Sequence, residues 1–281
     1  MTPDIDKITA IIREVAAEEI APRFGQLDAA DIDVKTHALD LVTIADTEAE
    51  RVLTQRLTSL LPGSVALGEE AAHHDPSLQD RVFAGNDPIW IIDPVDGTKN
   101  FAHHRQPFRS MLALYRGGKT VAAWIIDPIS GDVTVAEQGS GTFHNGHAVF
   151  VRKNVTHAQN ARGFLISYVR DRLIKSHGHH DFFEKISHYS CCGAEYQEIA
   201  QGQYDFCAYR TLKPWDHAPG TLLVREAGGV ARYISAQKPA SDYRAEGDAP
   251  ALICAATPEL WDEINTLLLP VFGKKNLILH R

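Results

Sequence analysis

Apolar residues recur at helical spacing from the start of the chain. Ile5, Ile8, Ile11, Ile12, Val15 and Ala16 share one face, which predicts an amphipathic helix from about Ile5 to Ala21, stopped by Pro22. A second helix is expected from near Thr43. There Thr43-Ile44-Ala45-Asp46 reads as a capping box, and Ala49, Val52, Leu53, Leu57 and Leu60 form a stripe ending at Leu61-Pro62-Gly63. The pattern then shortens to that of strands. One covers about Ser64 to Leu67 and runs into Gly68-Glu69-Glu70; a continuous apolar run, Ile89 to Ile92, runs into Asp93. Further strands are expected near Arg109 to Tyr115, Val121 to Ile126 and Val133 to Glu137. A hairpin turn lies at Asp127 to Asp132, with more turns in Gly139 to Gly146.

Beyond about Phe150 helix and strand alternate. Phe164 to Tyr168 reads as a strand, Phe182 to Ile186 and Ala194 to Ala200 as helices, and Asp205 to Tyr209 as a strand. A helix opening at Asp216 closes at Gly228-Gly229, before a strand at Val230 to Ile234. Residues 1–150 are therefore expected to form an α+β domain and residues 151–281 an α/β domain. No repeat or low-complexity linker separates them, so close packing is expected.

Length and composition change this picture little. The 281 residues, 44% hydrophobic and 23% charged, suit a soluble globular protein of one or two domains. The net charge of −8 argues against a nucleic-acid partner. An acidic chain that handles anions needs a local device, such as a metal, to reverse the field. The four cysteines form no CxxC pair, and the adjacent Cys191 and Cys192 do not suit an unstrained disulfide, so reduced thiols are expected. Charges throughout the first twenty residues leave no signal-peptide core, and no segment has the apolar length to span a bilayer. A cytoplasmic protein without a membrane partner is the expectation.

The chemistry concentrates in Trp90 to Phe101, WIIDPVDGTKNF. Asp-Pro and Asp-Gly are common turn pairs, so this segment alone reads first as a turn. It also meets the needs of metal-assisted phosphate-ester hydrolysis. Hard divalent cations take carboxylate, carbonyl and water oxygens. A pair of them activates water and stabilises a leaving oxygen. Asp93 and Asp96 offer carboxylates, Val95 a carbonyl, and Gly97-Thr98 the start of a helix with free N–H groups. Glu69, Glu70, Asp46 and Asp216 each have an ordinary reading too, as loop acids or helix caps.

Taken together, LGEE (Leu67 to Glu70), WIIDPVDGTKNF and WDHAPGTLLVREAGG (Trp215 to Gly229) resemble the signature blocks of the inositol monophosphatase family, Mg²⁺-dependent, lithium-sensitive sugar phosphatases. DLVTIAD, Asp40 to Asp46, and GSGTFHNG resemble further blocks, in the family's order. The resemblance implies a layered αβαβα sandwich, a homodimer, and a site binding two or three Mg²⁺ ions. It implies Glu69, Asp93, the Val95 carbonyl, Asp96 and Asp216 as metal ligands, with Gly97 and Thr98 holding phosphate. Asp46 and Thr98 would activate the attacking water, with Glu70 and Lys35 in support. The implied activity is a phosphomonoesterase acting on a small phosphorylated polyol or sugar by direct attack of water.

Substrate choice departs from the family. Tyr209 stands where inositol monophosphatases carry a glutamate that bonds ring hydroxyls, and Arg210 follows it. A phenol does not replace a carboxylate acceptor. Histidinol phosphate, a nucleotide 3′-phosphate and a fructose bisphosphate therefore stay open, as does a non-catalytic regulatory binding protein on this scaffold. Arg210 either meets a second anionic group or pairs on the surface. Glu195 either bonds substrate hydroxyls or lies on a helix surface. His217 is expected as an exposed first-turn residue.

Overall fold

A computed structural model describes residues 4–27, 31–34, 41–178, 181–234 and 251–272. Lys35, Asp40 and the His179-His180 pair lie outside them. The amphipathic N-terminal stripe forms α1 (Ile5–Val15), capped by Asp4, whose side chain accepts the Lys7 N–H. The chain continues as a π-helical turn, Ala16–Ile20, and a 3-10 turn, Ala21–Arg23. Pro22 thus sits at the start of a new turn, where its missing N–H costs nothing, and does not halt the helical run. A short antiparallel pair, β1 (Ile32–Val34) and β2 (Leu41–Thr43), leads into α2 (Ile44–Leu60). The Thr43–Asp46 capping box predicted for α2 is present.

A seven-stranded sheet follows, in the order β3 (Val65–Gly68), β4 (Ile89–Asp96), β5 (Arg109–Arg116), β6 (Lys119–Ile126), β7 (Val133–Glu137), β8 (Gly141–His144) and β9 (His147–Val149). Only the β3–β4 pairing in it is parallel. Between its first two strands run α3 (Glu69–His74) and α4 (Leu78–Ala84), and after β4 comes the short α5 (Thr98–Ala102).

The second half supplies a five-stranded sheet. Chain order gives β10 (Arg162–Phe164), α6 (Ser167–His177), β11 (Lys185–Ser187), α7 (Cys192–Ala200), β12 (Phe206–Tyr209), α8 (Pro214–Glu226), β13 (Val230–Tyr233), β14 (Leu252–Ala255) and α9 (Pro258–Phe272). The strand order is β11-β10-β12-β14-β13, with the first three parallel and β14 antiparallel to both neighbours.

Two expectations fail here. The predicted strand over 164–168 ends at Phe164, and α6 begins at Ser167; that helix buries only Val169 and Leu173, too narrow a stripe to stand out among its charges. The predicted helix over 182–186 is a turn leading into the edge strand β11, whose three residues are too few to establish a period. Elements β14 and α9 extend the fold beyond what the pattern predicts.

Three apolar clusters define the layers. Ile8, Ile12, Leu53 and Leu57 of α1 and α2 pack on Trp90, Ile92, Leu112 and Trp124 of the large sheet. The opposite face of that sheet, Met111, Ala123 and Ile125, meets Tyr196, Ile199, Leu222 and Leu223 of α7 and α8. The same helices meet Cys207, Leu252 and Cys254 of the small sheet. Beyond it, Val169 and Leu173 of α6 and Leu260, Trp261 and Ile264 of α9 cover Phe206, Ile253 and Ala255. The order is helices, sheet, helices, sheet, helices: the αβαβα sandwich. Among the described residues, no helix is long and apolar enough to cross a membrane.

Candidate active site

Two parallel strands, β3 and β4, end side by side, and each delivers acids at its C-terminal end. β3 passes directly into α3, putting Glu69 and Glu70 in that helix's first turn. In β4 the register against β5 slips between Asp93, opposite Met111, and Asp96, opposite Arg109. Three residue steps on β4 thus face two on β5. This is a bulge, where Pro94 is tolerated because the ladder needs no N–H from it. Gly97 then turns with φ of 90°, and α5 begins at Thr98. A side chain at Gly97 would also crowd the Pro107 carbonyl, the Ser190 carbonyl and Cys191 at 3.2–3.3 Å.

From the middle helical layer, α8 projects Asp216 towards these strand ends. Its position differs from the expected cap: the N-cap is Lys213, Pro214 opens the helix, and Asp216 lies in the first turn. One carboxylate oxygen each of Glu69, Asp93 and Asp216 lies within 4.8 Å of the others. Asp93 is buried and its Oδ1 has no hydrogen-bond partner. Burial raises its proton affinity well above the usual carboxylate range, and the charges of Glu69, Asp96 and Asp216 add to this. A hard divalent cation fits such a pocket. It would supply the missing partner for Asp93 and cancel the repulsion, and the donors are all oxygen.

Asp96 stands beside this triad. Its Oδ2 accepts the Gly193 N–H at 2.6 Å and the Cys191 thiol at 3.1 Å, and its pKa is raised, chiefly by burial. Asp46 is buried at the start of α2, where its Oδ2 accepts the Thr43 N–H at 2.8 Å and hydroxyl at 2.6 Å. Its Oδ1 lies 3.2 Å from the Thr98 hydroxyl, which is also 2.9 Å from the Val95 carbonyl. One hydroxyl proton serves only one of these acceptors at a time. Burial pushes the Asp46 pKa up to about 7 against the opposing Thr43 hydrogen bond, helped by the charges of Glu70 and Glu69.

The remaining candidates lie on the α7–β12 side. Glu195 is 1% exposed, so it is not on a helix surface. Its Oε2 accepts the Tyr209 hydroxyl at 2.6 Å, and its Oε1 accepts the Tyr189 N–H at 2.8 Å. Arg210 follows Tyr209 at the end of β12 and is half-buried. His217 corrects the expectation of an exposed ring. It is 2% exposed, between the Tyr196 hydroxyl at 3.0 Å and the Thr211 carbonyl at 2.8 Å. The cause is that α8 lies between two sheets and is covered on nearly every side. Pro219 likewise falls inside α8, beyond its first turn.

Sequence patterns missed Glu50. Four residues after Asp46 and on the same helix, its two carboxylate oxygens accept the N–H groups of Glu70 and Ala71 at 2.8 and 2.9 Å. The i, i+4 spacing was the available signal.

The model of the inositol monophosphatase family matches residues 4–270. A fructose-1,6-bisphosphatase/inositol-1-monophosphatase of Thermotoga maritima is 30% identical over 217 residues, 76% of this chain and 79% of its own. A protein of Pseudomonas aeruginosa named Nus factor SuhB is 31% identical over 225 residues, 76% of this chain and 80% of its own. Among solved structures, a Thermotoga maritima IMPase superposes with a TM-score of 0.79 at 25% identity, covering 96% of this chain and 98% of that one.

Proposed function

Because the chain belongs to the inositol monophosphatase family, we propose that it is a Mg²⁺-dependent phosphomonoesterase that hydrolyses a small phosphorylated polyol or sugar by direct attack of water. The observation that carries the proposal is the meeting of Glu69, Asp93 and Asp216 around an unpartnered, buried carboxylate oxygen. These three residues, with Asp96 and the Val95 carbonyl, would hold two or three ions. Bound Mg²⁺ supplies positive charge that stabilises the phosphoryl oxygens and makes nearby water more acidic. Residues 1–150 provide most of this set as one domain, and residues 151–281 bring Asp216 and the organic side of the pocket.

The chain's own groups handle the proton. Thr98 donates its hydroxyl to Asp46, so its lone pairs face outward and orient the attacking water. The water's proton passes through Thr98 to Asp46, whose carboxylate lies 3.2 Å from the Thr98 hydroxyl. Gly97 and Thr98 present backbone N–H groups to the phosphate, and Glu70 and Lys35 support the water and the acids. The ester P–O bond breaks, giving inorganic phosphate and the free alcohol. No enzyme nucleophile is required: burial pushes the thiols of Cys191 and Cys192 well up, so neither is a thiolate. Lithium inhibition, a homodimer and a cytoplasmic location belong to the same proposal.

A second reading rests on the similarity to the protein named Nus factor SuhB, which favours a regulatory binding role on this scaffold. One experiment separates the two: phosphate release across sugar, polyol, nucleotide and amino-alcohol phosphates, with Mg²⁺ and with Li⁺ added. Mg²⁺-dependent release suppressed by Li⁺ is the expected result. Absence of release from every phosphate ester leaves the regulatory reading standing alone.

A further inference from the structure

Helix α7 meets the acidic pocket with its first turn, and one turn further on a polar clamp fastens it to the large sheet. Gly193 donates its N–H to Asp96 Oδ2 at 2.6 Å, and the Cys191 thiol reaches the same oxygen at 3.1 Å. Four residues after Gly193, on the same side of the helix, stands Gln197, 5% exposed. Its Oε1 accepts the Arg109 Nε–H at 2.6 Å. Its Nε2 donates to the Ile125 carbonyl at 3.1 Å and to the Thr134 hydroxyl at 2.9 Å. One amide thus ties α7 to β5, β6 and β7.

Arg109 is the root of this clamp. It stands opposite Asp96, where β4 bulges against β5. Its Nη1 donates to the Phe108 carbonyl at 2.8 Å and meets the Asp127 carboxylate at 3.0 Å. The other Asp127 oxygen accepts the Ile129 N–H at 2.9 Å, so the turn after β6 holds the guanidinium in place. A guanidinium carries only donors and keeps its charge, so Gln197 must turn its oxygen to Arg109. The reversed amide would set donor against donor there and acceptor against acceptor at Ile125. The packing around the clamp is close. A methyl group on Gly193 would stand 3.1 Å from Arg109 Cβ and from Asp96 Oδ2, and 2.8 Å from Met111 Sδ. Any slide of α7 along the sheet therefore moves the donors that hold Asp96.

Resting on the reading of Asp96 as a metal ligand of the phosphatase, we infer that Gln197 and Arg109 are positioning residues that aim the Asp96 carboxylate at the cation by fixing the start of α7. A ligating carboxylate binds best when its free oxygen is already oriented, and the groups that orient it commonly carry about 10–100-fold in metal affinity. The clamp spans the two halves of the chain. Arg109, Ile125 and Thr134 belong to the first, and the helix they fasten belongs to the second.

The test is Gln197→Leu, of similar volume, which removes all three bonds at once. Calorimetric titration should show Mg²⁺ binding weakened about tenfold. In metal-free protein, amide hydrogen exchange should quicken about tenfold at Cys192 and Gly193 and stay unchanged at Ile253 of β14. A role in stability alone would lower the melting temperature and leave the Mg²⁺ affinity where it was. Arg109→Met should match Gln197→Leu, and the two together should cost little more than either. Arg109→Lys, which keeps a donor for Gln197, should restore most of the affinity. Wild-type Mg²⁺ affinity in Gln197→Leu and Arg109→Met overturns the inference. Where Gln197→Leu fails to fold, Arg109→Met against Arg109→Lys decides in its place, and equal affinities overturn it. A wild type that binds Mg²⁺ but releases no phosphate sinks only the phosphatase reading, and the affinities still decide the clamp. A wild type that binds no Mg²⁺ overturns the inference together with the metal site.

Discussion

The carboxylate of Glu50 accepts the backbone N–H of Glu70, tying helix α2 to the first turn of α3 at 2.8 Å. The neighbouring Ala71 N–H meets the other oxygen, so one buried side chain satisfies two donors that the start of α3 would otherwise leave unpaired. Glu69, whose carboxylate meets Asp93 and Asp216, is the first residue of that turn. Gly68 makes the approach possible: a methyl group there would stand 2.1 Å from the Glu50 carboxyl carbon.

Glu50→Ala should therefore destabilise the fold by about 1–3 kcal/mol, the range for losing a cap and stranding buried donors. It should also weaken Mg²⁺ binding, because Glu69 loses its footing. Gly68→Ala should produce the same two effects by expelling the Glu50 carboxylate. Urea unfolding of both single variants and the double checks this. The double variant is expected to lose clearly less than the sum of the singles. Additive losses would mean that the two residues act separately.

Asp93→Asn should move activity and metal-free stability in opposite directions. With Mg²⁺ the variant is expected to release phosphate at least about a hundredfold more slowly, since the central carboxylate of the triad is gone. Without metal the same change removes a buried charge set against Glu69, Asp96 and Asp216, and the variant should melt higher than the wild type. Calorimetry in chelator and steady-state kinetics in Mg²⁺ test both halves. Lower metal-free stability would show that Asp93 is not under electrostatic stress.

Thr98→Ala is expected to slow phosphate release by about 10²–10³-fold while leaving the Mg²⁺-induced rise in melting temperature in place. Asp46→Asn should match it in rate. The two changes together should cost little more than either alone, because the hydroxyl and carboxylate act as one unit. A loss of the Mg²⁺ response in Thr98→Ala would instead place Thr98 in metal binding.

What could be read from the sequence was local. The capping box joins Thr43 to Asp46 over three residues, and the run from Ile89 to Thr98 carries its bulge, its acids and its helix start together. Relations between distant segments left no trace in any window. Glu50 and Glu70 lie twenty residues apart, and Asp96 meets Gly193 from another layer of the sandwich. His217 was misplaced because an amphipathic reading assumes one wet face, and α8 has almost none. The partner of the Tyr209 hydroxyl was equally out of reach: it is Glu195, fourteen residues earlier on helix α7. A carboxylate introduced as Tyr209→Glu would meet Glu195 and should destabilise the pocket.

The pH dependence of the metal-free protein follows from which groups are stressed. Burial raises Asp46 and Glu50 to about 7, and Asp93 and Asp96 are also raised. A carboxyl with a raised folded pKa holds its proton more tightly in the native state. Its contribution to stability is complete below the unfolded value, near pH 4, and is lost as pH rises through the folded value, about 7 for Asp46 and Glu50. His217 has the opposite sign: burial lowers it to about 4, so its contribution is present above the unfolded value of 6.5 and is lost as pH falls. Four carboxyls outweigh one imidazole. In chelator, the protein should therefore be more stable at pH 5.5 than at pH 7.5, by on the order of 1–3 kcal/mol. Adding Mg²⁺ at pH 7.5 should reverse the order, because bound cation relieves the same charges that protons relieve at low pH. In His217→Gln, which removes the opposing imidazole, the gain on acidification should be larger still. Thermal unfolding at the two pH values, with and without Mg²⁺, measures all three effects. A metal-free protein that loses stability on going from pH 7.5 to 5.5 would mean that these acids are not a strained set awaiting a cation.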